Sequence, residues 1–178
     1  MTESQKDNET QVPRVWREAT PRELSAIKNL GFADPDLSNA LIYTNKGELQ
    51  GWLTYKILEP DEAEPKRHLF VSWWTIEEGA RSPKAASIFL SNFYDFLIAN
   101  HIDVVDFDVR DDSPYPLSET ETKAWNEHRN NLIAVYSKLV GQGEYVPEIK
   151  STMFSCSPER IGTIAKRGAI ASLFPQIP

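Results

Sequence analysis

Cysteine is almost missing from this chain. Cys156 stands alone, so no internal disulfide can form and no metal site can be assembled from thiolates. That usage suits a reducing compartment, and the cytoplasm is the expected location. Histidine is scarce as well. His68, His101 and His128 show no close pairing in sequence, so no metal site is expected. Long apolar runs are absent. None approaches the roughly 20 residues needed to cross a bilayer, and residues 1–12 are polar with no apolar signal core. They read as a disordered tail. An excess of positive charge is lacking too: 19 Lys and Arg stand against 26 Asp and Glu, a formal net charge of −7. An acidic surface argues against a general grip on nucleic-acid phosphates and against docking on anionic lipid. It is compatible with a cationic substrate or partner.

What is present fits a folded domain. The chain has 178 residues, of which 40% are hydrophobic and 11% aromatic, enough for a sizeable core. Residues 14–18 read as a short strand. Thr20-Pro21-Arg22-Glu23 then opens a helix, with Thr20 as cap, Pro21 at the first helical position and Glu23 completing a capping box. Leu24, Ile27 and Leu30 form its inward stripe, and Gly31 is a natural stop. After a loop at 32–39, residues 40–44 and 48–58 form a hairpin turning at Asn45-Lys46-Gly47. The charged stretch 59–67 is a loop, and 68–76 is a central strand buried on both faces. Ser82-Pro83 starts a helix to about residue 100, with Ala86, Phe89, Leu90, Phe93 and Leu97 at helical spacing.

Residues 103–110 form the next strand. Val105, Phe107 and Val109 share one face, and Asp106, Asp108 and Arg110 share the other. Ser118 and Glu121 cap a long helix to about residue 140, which Gly141 and Gly143 break. Strands at 144–148 and 151–155 follow, then a helix from Ser157-Pro158-Glu159 to about residue 166. Strands alternating with helices predict an α/β fold with a mixed central sheet flanked by helices. The expected organisation is a tail at 1–12, a domain at 13–156, and a C-terminal helix and tail at 157–178 packed on that domain.

Four places resemble the GNAT superfamily of N-acyltransferases, over about residues 14–155. Trp16-Arg17-Glu18-Ala19-Thr20-Pro21-Arg22-Glu23-Leu24 is similar to the family's first strand and helix. Glu48-Leu49-Gln50-Gly51-Trp52-Leu53 is similar to its second and third strands. Residues 73–90 take the place of the strand, pyrophosphate loop and helix that hold coenzyme A. Asn131-Leu132-Ile133-Ala134-Val135-Tyr136-Ser137-Lys138-Leu139-Val140-Gly141 is similar to the family's late helix. The resemblance implies a GNAT-like sheet and transfer of an acyl group, acetyl in the first instance, from acyl-CoA to a primary amine.

It also implies a coenzyme-binding set of Trp74, Ile76, Arg81, Ser82, Lys84, Ala85 and Ala86. In the family's loop, backbone N–H groups and a helix start face the pyrophosphate. Here Arg81 takes the first position, Lys84 stands where glycine is usual, and Ala86 is last. Pro83 removes a donor, while Arg81 and Lys84 add charge. By the same resemblance Tyr136 is the acid that protonates the leaving thiolate. No carboxylate lies on the strand 69–76, where the family often has its base. Glu77, Glu78 and His68 flank that strand, and Asp106 and Asp108 are candidates to bind the substrate ammonium. Trp52, Tyr55, Trp73 and Trp74 are candidates for an aromatic acceptor pocket, or for core. Cys156 reads as a small buried hydrophobe.

The expected partners are a small-molecule amine or a basic protein acceptor, with no nucleic acid and no membrane. The hydrophobic edges of the last two strands allow a homodimer. The altered loop also supports a different class: a non-catalytic domain of the same fold, with a degenerate coenzyme loop, that binds a protein partner.

Overall fold

Turn chemistry and capping set the element boundaries. The computed structural model describes residues 15–29, 39–80, 82–113 and 116–167. The expected tail at 1–12, Leu30, Gly31 and Arg81 lie outside them, as does the 32–39 loop apart from Asn39. The strands are β1 (Val15–Glu18), β2 (Asn39–Asn45), β3 (Glu48–Leu58), β4 (His68–Ile76), β5 (Val104–Arg110), β6 (Glu144–Val146) and β7 (Ser151–Cys156). The helices are α1 (Pro21–Asn29), α2 (Pro83–Ala99), α3 (Glu119–Val140) and α4 (Pro158–Arg167), with a short 3-10 turn at Glu78–Ala80.

The capping boxes form as the sequence indicates. The Thr20 N–H donates to Glu23 Oε2 at 2.9 Å and the Glu23 N–H to Thr20 Oγ1 at 3.4 Å. Arg17 clamps the same carboxylate with N–H donors at 2.7 and 2.8 Å. That bond, helped by the Thr20 N–H, pulls the Glu23 carboxyl down to about 2. At α3, the Ser118 N–H donates to Glu121 Oε2 at 2.8 Å and the Glu121 N–H to Ser118 Oγ at 3.3 Å. The hairpin turn places Lys46 at φ +52° and Gly47 at φ +83°, the left-handed pair that a tight hairpin requires. Strand β6 stops at Val146, two residues short of the expected end. Pro147 cannot extend the ladder, and Lys150 at φ +49° closes a turn into β7.

The strands form one sheet in the order β1-β2-β3-β4-β5-β7-β6. Only β4 and β5 run parallel; every other neighbouring pair is antiparallel. Gly51 has a steric role there: a Cβ on it would sit 2.7 Å from the Thr75 carbonyl oxygen on β4.

The two faces have separate cores. Leu41, Leu53, Tyr55, Leu69 and Val105 pack beneath α2 and α4, joined by Ala86, Phe89, Phe93, Leu97, Ile161 and Ile164. Tyr136 and Leu139 of α3 border this core. The opposite face is smaller: Ile27 of α1 packs with Ala40, Ile42 and Trp52, and Trp73 adjoins them. Helix α4 lies against α2, where a Cβ at Gly162 would meet the Tyr94 ring at 3.1 Å and Ser87 Oγ donates to the Ala165 carbonyl at 2.9 Å. Among the described residues no helix is long and apolar enough to cross a membrane.

Candidate active site

The parallel ladder between β4 and β5 is short. It runs from His68↔Val104 to Val71↔Phe107 and stops, although β4 continues to Ile76 and β5 to Arg110. The register against β3 explains why. Tyr55 pairs with Val71 and Thr54 with Trp73, so Ser72 is an extra residue in β4. A bulge of this kind bends its strand and interrupts pairing. Beyond it β4 stays with β3, as far as Gly51↔Ile76, and parts from β5. The opening lies at the carboxyl ends of two parallel strands, where open α/β sheets bind ligands. The chain leaves Ile76 through the 3-10 turn directly into α2, so the start of α2 lies at the same end as the opening.

That helix start can receive an anion. Ser82 sits in extended conformation and its Oγ accepts from the Ala85 N–H at 3.0 Å. The Ala86 N–H donates to the Ser82 carbonyl at 3.0 Å. Pro83 has no N–H. The N–H groups of Ser82 and Lys84 carry no hydrogen bond among the described residues, and the Lys84 ammonium makes no ion pair there. Ser82 and Lys84 are exposed, whereas Ala85 and Ala86 are 2% and 0% exposed and face the core. The expected loop contacts therefore divide. Two amides, a hydroxyl and one cation face solvent, and the Ala85 and Ala86 amides are already bonded. Arg81 lies outside the described residues.

Trp74 and Ile76, expected at the coenzyme, point toward α2. The Trp74 ring stacks on Phe89 with centroids 4.9 Å apart, and Ile76 is 1% exposed. The side chain of Ile76 is sealed into the core and is closed to a ligand.

Tyr136 stands where the strands part. Its ring meets Phe107, the last residue of β5 paired with β4, edge-on at 4.9 Å, and Phe154 at 5.5 Å. Its hydroxyl has no hydrogen bond among the described residues. Burial pushes the phenol up to about 12, since the phenolate is the form that loses hydration.

The carboxylates of β5 project from the other face and carry donors of their own chain. Asp106 bonds His68 Nδ1 at 2.5 Å and the Ser155 hydroxyl. Asp108 Oδ2 accepts from Ser151 Oγ at 2.8 Å and Arg110 Nε at 3.3 Å. The Asp108 side chain is only 5% exposed, and its Oδ1 has no hydrogen bond among the described residues. Asp108 follows the last ladder pair, so this carboxylate borders the opening from the face opposite Tyr136. Further on, Asp111 accepts from Arg129 Nη1 at 3.0 Å and Tyr145 Oη at 2.7 Å. The acidic run is thus mostly internal bonding rather than a solvated charged face.

The four aromatics considered for one acceptor pocket are split by the sheet. Trp52 and Trp73 belong to the α1 face, Tyr55 and Trp74 to the α2 face. Cys156 is half-buried beside the main core, and burial pushes its thiol up to about 12, which favours the thiol over the reactive thiolate. Sequence reasoning missed Ser72, Phe107 and the free oxygen of Asp108. The hidden signal for Ser72 is the change in inward phase from Leu69 and Val71 to Trp74 and Ile76.

The backbone arrangement recurs in solved structures. FeeM, an N-acyl amino acid synthase from uncultured soil microbes, superposes with a TM-score of 0.52 at 13% identity, over 84% of this chain and 98% of that one. Naa50 from Arabidopsis thaliana, in complex with the bisubstrate analogue CoA-Ac-MVNAL, gives 0.50 at 12% identity, over 82% and 99%. The GNAT family N-acetyltransferase YhbS from Escherichia coli, in complex with CoA, gives 0.47 at 13% identity, over 85% and 83%. The fold is the GNAT fold. At these identities the likeness is one of fold. No family model matches the sequence, and no curated protein does. Within the GNAT fold, the parting of β4 from β5 and the start of α2 are the features of this chain on which chemistry can be built.

Proposed function

We propose that the protein is an N-acyltransferase that moves an acyl group, acetyl in the first instance, from acyl-CoA to a primary amine. The observation that carries this reading is the opening between β4 and β5 beside the anion-receptive start of α2. The free amides of Ser82 and Lys84, the Ser82 hydroxyl and the Lys84 ammonium would hold a phosphate group, with the partial positive charge of the helix end behind them. Arg81 would add a second cation. Backbone groups of Trp74 and Ile76 would border the arm of the coenzyme, and the sealed Ala85 and Ala86 side chains would let α2 sit close to the sheet. Bound there, acyl-CoA supplies an activated acyl group as a thioester.

The chain's own groups then divide the remaining work. Tyr136 holds a proton on its Oη, in reach of a leaving sulfur at the point where the strands part. A phenol that stays neutral across the working range is suited to donate it. On the other face, Asp108 offers its free Oδ1 to the acceptor ammonium, and Asp106 adds negative charge beside it. The proton of the ammonium passes to Asp108 or to water. The acceptor is a small-molecule amine or an amine of a basic protein, and a cytoplasmic setting fits the single cysteine. The neighbours support this, one being an N-acyl amino acid synthase and another holding a CoA analogue.

Calorimetric titration with acetyl-CoA and with CoA tests the proposal. Saturable heat and a raised melting temperature are expected, because a ligand that binds only the native state stabilises it. No heat at about 1 mM ligand, a weak affinity of roughly −4 kcal/mol, removes the transferase reading. One observation favours a second reading, a non-catalytic domain that binds a protein partner: Ser82 Oγ occupies the Ala85 amide, and Pro83 and Lys84 replace a bare backbone. Full retention of fold with no coenzyme binding is the outcome it expects.

A further inference from the structure

Helix α2 carries a second row of side chains at the edge of the core. Phe89, Phe93 and Leu97 point into the main core. Asn92, Phe96 and Asn100 are spaced by four and form a neighbouring row along the helix. With Phe93, this row faces Arg17 and Glu18 of β1 and Leu41 of β2 across a cleft of about 280 Å³. That volume lies just below the range of about 300–1,000 Å³ typical of small-molecule sites, which suits a small ligand. Asn92 lies ten residues beyond Ser82, so at about 1.5 Å per residue the cleft begins roughly 15 Å along α2 from the helix start. It is therefore separate from the opening between β4 and β5.

The charges in this cleft are not balanced. The guanidinium of Arg17 is held by both oxygens of Glu23, at 2.7 and 2.8 Å, and by the Glu18 carbonyl at 3.1 Å. Its charge is matched on the side of α1. Asn92 and Asn100 each turn one amide N–H back to their own helix, at 2.7 and 2.9 Å. Glu18 has one anchored oxygen: Oε1 accepts from the buried Tyr55 hydroxyl at 3.2 Å. Its Oε2 has no hydrogen bond and no cation among the described residues. The Tyr55 bond fixes the carboxylate from below, and Phe96 in turn packs edge-on against Tyr55 at 5.2 Å. The cleft thus presents one oriented carboxylate oxygen beside aromatic rings and an apolar floor of Leu41 and Phe93. Aromatic faces and a fixed carboxylate together recognise an organic ammonium ion.

We infer that this cleft is a binding site for a small organic monocation, a primary ammonium on an apolar body, distinct from the acceptor position at the strand opening. The inference stands without the transferase reading, since it uses none of the residues placed there. The probe is 2-phenylethylammonium, titrated by calorimetry into the full chain in the absence of coenzyme, with neutral 2-phenylethanol as the control. Saturable binding of the cation below about 10 mM is expected, with the alcohol at least about tenfold weaker.

Glu18→Gln keeps an acceptor for Tyr55 and removes the charge, and it should weaken the cation about tenfold or more. Asp108→Asn should leave the Glu18-dependent binding unchanged, because an ammonium held at the strand opening occupies a separate site. A chemical-shift map should move Phe93, Phe96 and Tyr55. Equal binding of cation and alcohol, or no saturable binding, overturns the inference. So does loss of binding in Asp108→Asn with retention in Glu18→Gln, which would place the ammonium at the strand opening instead.

Discussion

Replacing Tyr136 with phenylalanine separates its two roles. The ring contacts with Phe107 at 4.9 Å and Phe154 at 5.5 Å are made by carbon atoms and survive the change. The hydroxyl has no protein partner among the described residues, so no donor or acceptor is orphaned by its removal. Stability should therefore stay within about 0.5 kcal/mol of the parent in urea denaturation. Turnover should not. Loss of a positioned general acid costs about 10²- to 10⁴-fold, or roughly 2.7–5.4 kcal/mol of transition-state stabilisation at 1.36 kcal/mol per decade.

The assay is release of free CoA thiol from acetyl-CoA against a panel of primary amines. Because burial pushes the phenol up to about 12, Tyr136 stays protonated across a profile of roughly pH 7–10, and no alkaline fall in kcat should trace to it. The penalty should shrink with a thioester whose thiol is more acidic and needs less help to leave. A Y136F protein that folds as the parent and keeps turnover within about threefold, outside the range expected of an acid, refutes the role.

Other perturbations act on single features. Gly51→Ala places a Cβ 2.7 Å from the Thr75 carbonyl and should cost about 1–3 kcal/mol in denaturant unfolding. Ser82→Ala removes the α2 cap and should cost about 1 kcal/mol in denaturant unfolding, and loss of a hydroxyl proposed to hold the phosphate should weaken CoA by about tenfold or less in calorimetry. Lys84→Gln should weaken CoA about tenfold at low salt and less at high salt, because the charge is exposed and screened. His68 is raised above its ordinary value, first by its bond to Asp106. A raised folded value stabilises the native state fully below about pH 6.5, the unfolded value, and that contribution is lost as pH rises through the folded value. His68→Gln should flatten this part of the stability profile in thermal melts between about pH 5 and 8.

Much of the fold was legible because its signals are local. Thr20 with Glu23, Ser118 with Glu121, and Ser82 before Pro83 fix three helix starts through side chains within three residues of the backbone they bond. The hairpin turn at Lys46-Gly47 is equally local. The site was less legible because its parts are set by register between strands. Asp106 and Asp108 lie on one face, as alternation requires, but their bonds to His68, Ser155 and Ser151 depend on which strands flank β5. The chain visits β6 before β7, yet β7 lies next to β5, an order that periodicity does not encode. The aromatic quartet failed as one pocket for the same reason. Two consecutive tryptophans on a strand must point to opposite faces, and strand proximity alone does not reveal which partner each one meets.

The bulge at Ser72 connects these observations. Without an extra residue, Leu69, Val71, Trp73 and Thr75 would share the α2 face, and Trp74 and Ile76 would turn toward α1. With it, Trp74 stacks on Phe89 and Ile76 is buried, while Trp73 reaches the α1 side. The same residue ends the ladder with β5. A strand that is apolar on both faces hides this phase change, since either register buries hydrophobic side chains. What distinguishes the two registers is the polar pair that the bulge creates, in which Thr54, fully buried, lies with its Oγ1 3.4 Å from Ser72 Oγ and from the Trp73 carbonyl. A buried hydroxyl needs a partner, and the bulged backbone supplies one. The residue pair that satisfies the core therefore also opens the sheet between Tyr136 and Asp108, so the position of the proposed chemistry follows from packing within β3 and β4 rather than from the groups that would carry it out.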